Sequence, residues 1–234
     1  MQKVRLSERL KTIADMVTVG NKVADIGCDH GFVSIYLVQN GISPGVIAMD
    51  VRKGPLGMAK EHILQAGLQN QIETRLSDGM DKLVPGEVDS LIMAGMGGRL
   101  MMDIICRGKE VTPGIREFVL QPQSELPLFR QFLRLNNLMI VEERAVFDGG
   151  KYYFPMKAVW GSTENHSMQI SDEDYFGPIL IRQRSNVFLE YLKKELHTYQ
   201  GVRERLEATT GDKAQQRILE VQRDIERIER VLYR

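Results

Sequence analysis

The residues of this 234-residue chain that are best suited to chemistry lie in Lys22–Gly31, with the sequence KVADIGCDHG. A short apolar run ends there in a turn that carries Gly27 and Gly31, and a helical pattern follows. Dinucleotide-binding turns keep the spacing G-x-G-x-x-G, whose open helix end receives a pyrophosphate. Here the spacing is D-x-G-x-D-x-G, and Asp29 stands where the middle glycine would be. A carboxylate at that point repels a pyrophosphate but suits the ammonium and sulfonium groups of S-adenosylmethionine.

Further turns rich in Gly or Asp follow the next predicted strands. Val46–Met49 ends in Asp50, where an α/β nucleotide-binding fold places the acid that takes both ribose hydroxyls. Asp78–Gly79 follows another run, and the strand Ser90–Ala94 leads into Gly95–Gly98. A turn without a ligand is the plainer explanation for any one of these segments. Because the carboxyl ends of parallel strands meet at one edge of a sheet, their repeated position favours a binding site.

From these segments we predict a cofactor site for S-adenosylmethionine. Cys28 has a simpler explanation as a small residue in the turn. His30 could accept a proton, although a histidine at a helix start often has no such role. The predicted cofactor-binding residues are Asp25, Gly27, Cys28, Asp29, Gly31, Asp50, Val51, Asp78, Gly79, Ala94, Gly95, Met96 and Gly97.

The elements that must position this site follow from the periodicity of the chain. The run Leu91–Ala94 is continuously apolar, as in a parallel strand that is covered on both faces. Leu138–Phe147 and Tyr152–Trp160 are β-rich runs around Asp148–Gly150, a hairpin signal. An antiparallel hairpin that closes a parallel sheet is the class I methyltransferase arrangement, not that of a dehydrogenase. We therefore predict an α/β fold with a Rossmann-like, seven-stranded, mostly parallel sheet and an antiparallel closing hairpin.

The C-terminal segment has a different pattern. Two runs of apolar residues at alternating spacings of three and four, separated by Thr209–Asp212, predict an antiparallel α-helical coiled-coil hairpin. The polar stretch before them reads as a linker. The predicted domains are 1–161 for cofactor binding and 175–234 for the helical hairpin, with a linker at 162–174. The expected seam contains Leu189, Leu192, Leu196, Tyr199, Leu206, Ile218, Val221, Ile225, Ile228 and Leu232.

Composition limits the classes of partner. The chain has 31 Lys and Arg against 31 Asp and Glu, so a nucleic-acid partner needs a local basic patch. Residues 175–234 carry 12 basic and 9 acidic side chains, a small excess that solvated helix faces alone could produce. Cys28 and Cys106 form no C-x-x-C pair, which indicates a reducing cytosol. We expect a cytoplasmic protein without membrane or metal partners; the oligomeric state stays open, with a monomer favoured.

A series of motifs runs through the first 160 residues or so. They are LSERL at Leu6–Leu10, ADIGCDHG at Ala24–Gly31, AMDVRKGP at Ala48–Pro55, SDGM at Ser77–Met80, AGMGG at Ala94–Gly98, VLQPQ at Val119–Gln123 and GGKYYF at Gly149–Phe154. Together these motifs resemble the bacterial tRNA (adenine-22-N1)-methyltransferase family. The resemblance implies a Rossmann-like domain that binds S-adenosylmethionine, a helical C-terminal domain and methylation of N1 of adenine 22 in the D-arm of tRNA. Many members have Glu in place of Asp50, Asn in place of Gln123 and an acid in place of Phe154.

The acceptor side is expected to position a base, not to deprotonate it. Adenine N1 has a free lone pair at neutral pH, and AGMGG replaces the tetrapeptide with which amino-nitrogen methyltransferases hold an exocyclic amine. We predict positioning roles for Met96, Gln121 and Tyr153. Tyr152 and Tyr153 could stack on an extruded base or pack in the sheet. The alternatives are a methyltransferase for another RNA base or a small molecule, and a non-catalytic scaffold that binds S-adenosylmethionine.

The first predicted helix carries two arginines near the expected mouth of the site. Arg5 and Arg9 are four residues apart and therefore lie on one side of that helix. A solvated face is the expected role for each. The resemblance at Leu6–Leu10 makes Arg9 the better candidate for a structural or RNA contact.

Overall fold

A computed structural model describes residues 3–161, 167–208 and 211–234 of the chain. Its strands are β1 Val23–Ile26, β2 Val46–Asp50, β3 Ile72–Leu76, β4 Ser90–Met96, β5 Glu117–Pro122, β6 Leu138–Glu143, β7 Val146–Asp148, β8 Lys151–Tyr153 and β9 Met156–Trp160. Its α-helices are α1 Glu8–Asp15, α2 Phe32–Gln39, α3 Lys53–Gln65, α4 Gly98–Arg107, α5 Leu126–Leu135, α6 Asp172–Phe176, α7 Pro178–Gln183, α8 Asn186–Glu207 and α9 Asp212–Leu232.

The main sheet has seven strands in the order β3-β2-β1-β4-β5-β9-β6. The first five strands are parallel, and β9 runs antiparallel to both β5 and β6. This arrangement confirms the predicted Rossmann-like sheet with its antiparallel closing pair. The chain crosses from β3 at one edge to β4 beside β1, so the carboxyl ends of β1 and β4 flank the point where the strand order reverses. Ligands of open α/β sheets bind at such a point.

Helices cover both faces of the sheet. On one face α1, α2 and α3 pack on the strands, with Ile13, Ile35 and Ile63 fully buried or nearly so. On the other face α4 and α5 contribute buried Met101, Phe129 and other apolar residues to a second cluster. Every residue of β1, β2 and β5 is buried, as expected for strands between two helical layers. The rigid sheet therefore fixes the positions of the turns at its carboxyl edge.

The predicted closing hairpin is interrupted part of the way along. β6 and β9 join the main sheet, whereas β7 and β8 form a separate two-stranded ribbon. Pro155 has no N–H, so it cannot donate a hydrogen bond to a neighbouring strand. Its carbonyl accepts a 3.0 Å hydrogen bond from the Arg144 N–H at the point where the ribbon begins. Gly149 and Gly150 make the turn with φ of 56° and 81°. The ribbon thus stands off the sheet between α1 and α8.

The C-terminal helices α8 and α9 pack against each other in antiparallel orientation. Arg184, just before α8, donates hydrogen bonds of 2.8 and 2.7 Å to the carbonyls of Val231 and Leu232 at the end of α9. Within the predicted connection, Thr209 and Thr210 lie outside the described residues. The coiled-coil packing of the two helices remains a prediction. The buried residues of the pair are Phe188, Leu192, Leu196, Val221, Ile225, Ile228, Val231 and Leu232.

A buried ion pair between α5 and β6 ties the short helices α6 and α7 to the sheet. The Arg130 Nε donates to Glu143 at 2.8 Å, with side-chain exposures of 2% and 0%. Arg130 also donates to the carbonyl of Tyr175, and Glu143 accepts from the Ile179 N–H at 3.0 Å. Of the predicted linker at 162–174, residues 162–166 lie outside the described residues and α6 begins at Asp172. The network joins residues on both sides of the predicted linker, and the domain boundary stays a prediction.

Candidate active site

A cleft of about 550 Å³ opens at the carboxyl edge of the sheet, beside the ends of β1, β2 and β4. Two of the predicted cofactor-binding residues, Gly31 and Gly97, do not line it. The predicted residues that do line it are Asp25, Gly27, Cys28, Asp29, Asp50, Val51, Asp78, Gly79, Ala94, Gly95 and Met96. Most of the residues predicted from the strand ends therefore lie around one cleft.

The glycine turn after β1 forms the floor of the cleft. Gly27 has φ of 73°, and a Cβ there would collide with the terminal methyl of Met96. Gly31 has φ of 74° and a Cβ would lie 3.1 Å from the Ala59 Cβ, so this glycine allows α2 to approach α3. Its place in the motif is explained by packing. Cys28 is buried as well. Burial is the main cause that raises the pKa of its thiol, and the negative charges of Asp25 and Asp50 raise it further.

Two nearly buried carboxyl groups stand side by side at the ends of β1 and β2. Asp25 accepts a 2.7 Å hydrogen bond from the Ser34 hydroxyl. Burial raises the pKa of Asp25 to about 6; the Ser34 bond opposes that shift and the Asp50 charge adds to it. Asp50 accepts from the Arg52 N–H at 2.8 Å and is 4% exposed. Such a pair is suited to accept hydrogen bonds from vicinal hydroxyls and to attract a cation.

The carboxylate after β3 is already paired. Arg107 of α4 donates two hydrogen bonds to Asp78, of 3.1 and 2.9 Å, and these bonds lower the pKa of the Asp78 carboxyl. Gly79 has φ of 56° and a Cβ there would lie 2.9 Å from Ile104. The Asp78–Gly79 turn therefore serves as a fixed wall of the cleft. Sequence reasoning missed Arg107, which lies 29 residues from its partner.

Two of the three predicted acceptor residues, Gln121 and Tyr153, are connected through Arg9. Met96 lines the cleft, whereas Gln121 is fully buried and Tyr153 lies on the ribbon. Arg9 also lines the cleft; its Nη1 donates to the Gln121 side-chain oxygen at 2.8 Å, and its guanidinium lies 5.3 Å from the Tyr153 ring centroid. Any contact of Gln121 with an adenine would run through Arg9 in this arrangement. The expected solvated role for Arg9 is wrong, because its side chain forms part of the cleft wall.

The two adjacent tyrosines occupy opposite faces of the ribbon. Tyr153 faces α1 and Arg9, while Tyr152 packs toward α8 with its ring centroid 5.5 Å from that of Tyr191. Asp148, on the Tyr153 face, accepts from the Arg9 N–H at 3.1 Å and holds the ribbon against α1. Only Tyr153 therefore lies beside the cleft. Phe154 is 5% exposed and packs against Tyr191.

Several further cleft residues carried no strong sequence signal. One of these is Leu100, which is 48% exposed; with the predicted Val51, which is 60% exposed, it gives the cleft apolar walls able to enclose a flat ring. Gln123 also lines it, and its N–H donates to the Met96 carbonyl at 2.8 Å. The Nδ1 of His30 is buried and has no hydrogen-bond partner among the described residues. Other lining residues beyond the prediction are Leu10, Ile26, Phe32, Val33, Arg52, Ser77 and Ile104.

Two features are absent from the described residues, one for crossing a membrane and one for binding a metal ion. No helix in 3–161, 167–208 or 211–234 is long and apolar enough to cross a membrane. The same part of the chain holds no group of three or more His, Cys, Asp or Glu residues arranged to bind a metal ion.

Comparison with known proteins gives the cleft a family. Residues 6–156 match a family model described as a methyltransferase domain. The chain is 30% identical to the Bacillus subtilis tRNA (adenine(22)-N(1))-methyltransferase, over 99% of this chain and 99% of that protein. It is also 32% identical to a Mycoplasma genitalium protein assigned as a tRNA methyltransferase, over 66% of this chain and 69% of that one.

Solved structures agree with these relatives. The crystal structure of the B. subtilis m1A22 tRNA methyltransferase TrmK superposes with a TM-score of 0.86 and 30% identity, covering 98% of this chain and 99% of that chain. A Streptococcus pneumoniae chain, assigned as a tRNA (m1A22) methyltransferase and bound to S-adenosyl-L-methionine, superposes with a TM-score of 0.84 and 28% identity. The superposition covers 97% of this chain and 100% of that chain. The protein described here therefore belongs to the tRNA (adenine(22)-N(1))-methyltransferase family.

Proposed function

We propose that this protein transfers the methyl group of S-adenosylmethionine to N1 of adenine 22 in the D-arm of tRNA. The observation that carries the proposal is the pair of nearly buried carboxyl groups, Asp25 and Asp50, at the mouth of a glycine turn in a methyltransferase fold. Whole-length similarity to a tRNA (adenine(22)-N(1))-methyltransferase supports the choice of acceptor.

The cleft residues fit a ligand with a ribose, a flat ring and a cationic amino-acid end. Asp50 would accept from the two ribose hydroxyls, and Val51 and Leu100 would enclose the adenine ring. Asp25 and Asp29 would attract the ammonium and sulfonium groups, and Gly95, with φ of 77°, lets the backbone approach the amino-acid end closely. When bound, S-adenosylmethionine supplies an electrophilic methyl group on sulfur.

On the acceptor side the chain has to orient the base and exclude water. Adenine N1 carries its own lone pair, so no residue must remove a proton before attack. Met96 would set the position of the ring, while Arg9, held by Gln121 and Tyr153, would form the wall next to it. The methylated ring becomes cationic, and the backbone carbonyls at the end of β4 and the side-chain oxygen of Gln123, whose residues line the cleft, would stabilise that charge.

Adenine 22 must leave its stack to enter the cleft, which costs a few kcal/mol. Contacts to the rest of the tRNA would supply that energy. A short D-arm hairpin should therefore be a much poorer substrate than whole tRNA. In this proposal the protein acts as a monomer in the cytoplasm, and sedimentation velocity at working concentration tests the monomer.

The direct test is mass spectrometry of nucleosides from tRNA treated with the protein and labelled S-adenosylmethionine. We expect 1-methyladenosine in the natural transcript and none in a transcript whose adenine 22 is replaced by guanine. Appearance of 6-methyladenosine, or equal methylation of the replaced transcript, would overturn the assignment.

A further inference from the structure

A second aromatic surface lies outside the cleft, on the other face of the ribbon. Phe147 and Tyr152 are cross-strand partners with ring centroids 4.8 Å apart. Tyr152 also contacts Tyr191 of α8, and the Lys194 Nζ lies 5.4 Å from the Tyr152 ring centroid. We call Phe147, Tyr152, Tyr191 and Lys194 the ribbon platform. It joins the ribbon to the helical hairpin.

The exposure of Phe147 is not explained by packing. Its side chain is 51% exposed, although its neighbour Val146 is buried and Tyr152 is partly covered by α8. Single exposed apolar residues are common on protein surfaces. Here the exposed ring is continuous with two tyrosines and a lysine, a combination that is typical of surfaces on which nucleotide bases stack.

The platform lies back to back with the cleft wall. Phe147 and Tyr152 occupy one face of the ribbon, and Tyr153, which contacts Arg9 of the cleft, occupies the other. A polynucleotide that inserts one base into the cleft and continues over the edge of the ribbon would bring the neighbouring nucleotide to the platform.

One cation of the platform is placed to contact a phosphate. Lys194 is exposed on α8, and its Nζ lies beside the Tyr152 ring. Lys151 and Asp148 pair with each other on the other face of the ribbon, with Tyr153. Glu190 is exposed on α8 and opposes Lys194, so the platform depends on stacking and on this one lysine and not on a basic surface.

We propose that the ribbon platform stacks an unpaired tRNA nucleotide adjacent to the methylated adenine, with Lys194 next to its phosphate. The proposal rests on the function proposed above. The ribbon platform holds the strand after a base has been extruded. It therefore contributes to tRNA affinity and has no effect on cofactor binding.

The test compares Phe147→Ala with Leu219→Ala, which removes another exposed apolar side chain, 61% exposed, from α9. Binding of fluorescent tRNA at fixed salt should weaken about tenfold for Phe147→Ala and stay within twofold for Leu219→Ala. Phe147→Tyr, which keeps the ring, should restore the affinity. Calorimetric binding of S-adenosylmethionine should be the same for all variants, which also shows that they are folded.

A second readout locates the stacked nucleotide. tRNA transcripts with 2-aminopurine on either side of adenine 22 should lose fluorescence on binding the natural protein, and Phe147→Ala should remove most of that quenching. Lys194→Gln should weaken binding and reduce its salt dependence. Unchanged tRNA affinity and unchanged quenching in Phe147→Ala would overturn the proposal and assign the platform to a protein partner. Because binding is measured directly, the result is independent of whether the methylated atom has been assigned correctly.

Discussion

Arg9 of the first helix donates a 2.8 Å hydrogen bond to the side-chain oxygen of Gln121, a fully buried residue at the end of β5. The bond joins two segments 112 residues apart and fixes a guanidinium at the cleft wall. Arg9 thereby connects the acceptor residues Gln121 and Tyr153 to the cofactor side of the site.

We expect Arg9→Ala to lower kcat/KM for tRNA about 10- to 100-fold, because a hydrogen bond to a charged group contributes about 1.5–3 kcal/mol. It also leaves the buried Gln121 oxygen without its donor. Arg5→Ala is the matched control, since Arg5 lies four residues away and is exposed. Arg5 precedes α1, which begins at Glu8, so the prediction that both arginines share one side of the helix is wrong. Steady-state methylation assays check both variants, and equal rates in Arg9→Ala and the natural protein would remove Arg9 from the acceptor site.

Asp50→Ala should weaken S-adenosylmethionine binding by about 2–4 kcal/mol, since two hydrogen bonds to a nearly buried carboxylate are lost. Asp50→Glu keeps the charge and should bind within about tenfold of the natural protein. Isothermal titration calorimetry measures both affinities. Unchanged binding by Asp50→Ala would show that the ribose hydroxyls lie elsewhere.

Asp25 should make stability depend on pH. Its pKa is about 6 in the folded protein and about 3.9 when unfolded, so the folded state binds more protons between these values. The contribution of Asp25 to the free energy of unfolding is fully present below about pH 4 and is lost as the pH rises to about 6. Asp25→Asn should therefore gain about 2–3 kcal/mol relative to the natural protein between pH 4 and pH 7.

Urea unfolding at several pH values measures this difference, and a constant gap between the two proteins would contradict it. A bound cation should also favour the ionised form of Asp25. We therefore expect the affinity for S-adenosylmethionine to rise as the pH increases through about 6. The Asp25→Asn variant should lose this dependence.

Arg130→Ala should destabilise the protein by about 3–5 kcal/mol, because it leaves the Glu143 charge buried without its partner. Arg144→Ala is the control: Arg144 pairs with Glu142 at a partly exposed position, where an ion pair contributes about 0–1 kcal/mol. Equilibrium unfolding in urea compares the two. The double variant Arg130→Met with Glu143→Leu should be more stable than Arg130→Ala.

The sheet and most of the cleft could be predicted because they depend on local signals. Apolar runs marked β1, β2, β4 and β5, and Gly27, Asp50 and Gly95 marked the carboxyl ends of the first three of these strands. The ribbon could not be predicted, since Leu138–Phe147 is β-rich throughout and only Pro155 signals a break. Arg9 and Arg107 act across long sequence separations, and helical periodicity does not say which polar residue meets a sheet edge.

The Arg130–Glu143 pair also limits how this protein can be recombined with its relatives. Gly177 has φ of 90°, and a Cβ there would lie 2.5 Å from a Glu143 oxygen, so the pair and the glycine must be inherited together. A chimera joined at residue 161 would combine Arg130 and Glu143 from one parent with Gly177 from the other. An exchange after Arg184 would keep them together. Recombination within the family should therefore succeed at the second junction more often than at the first.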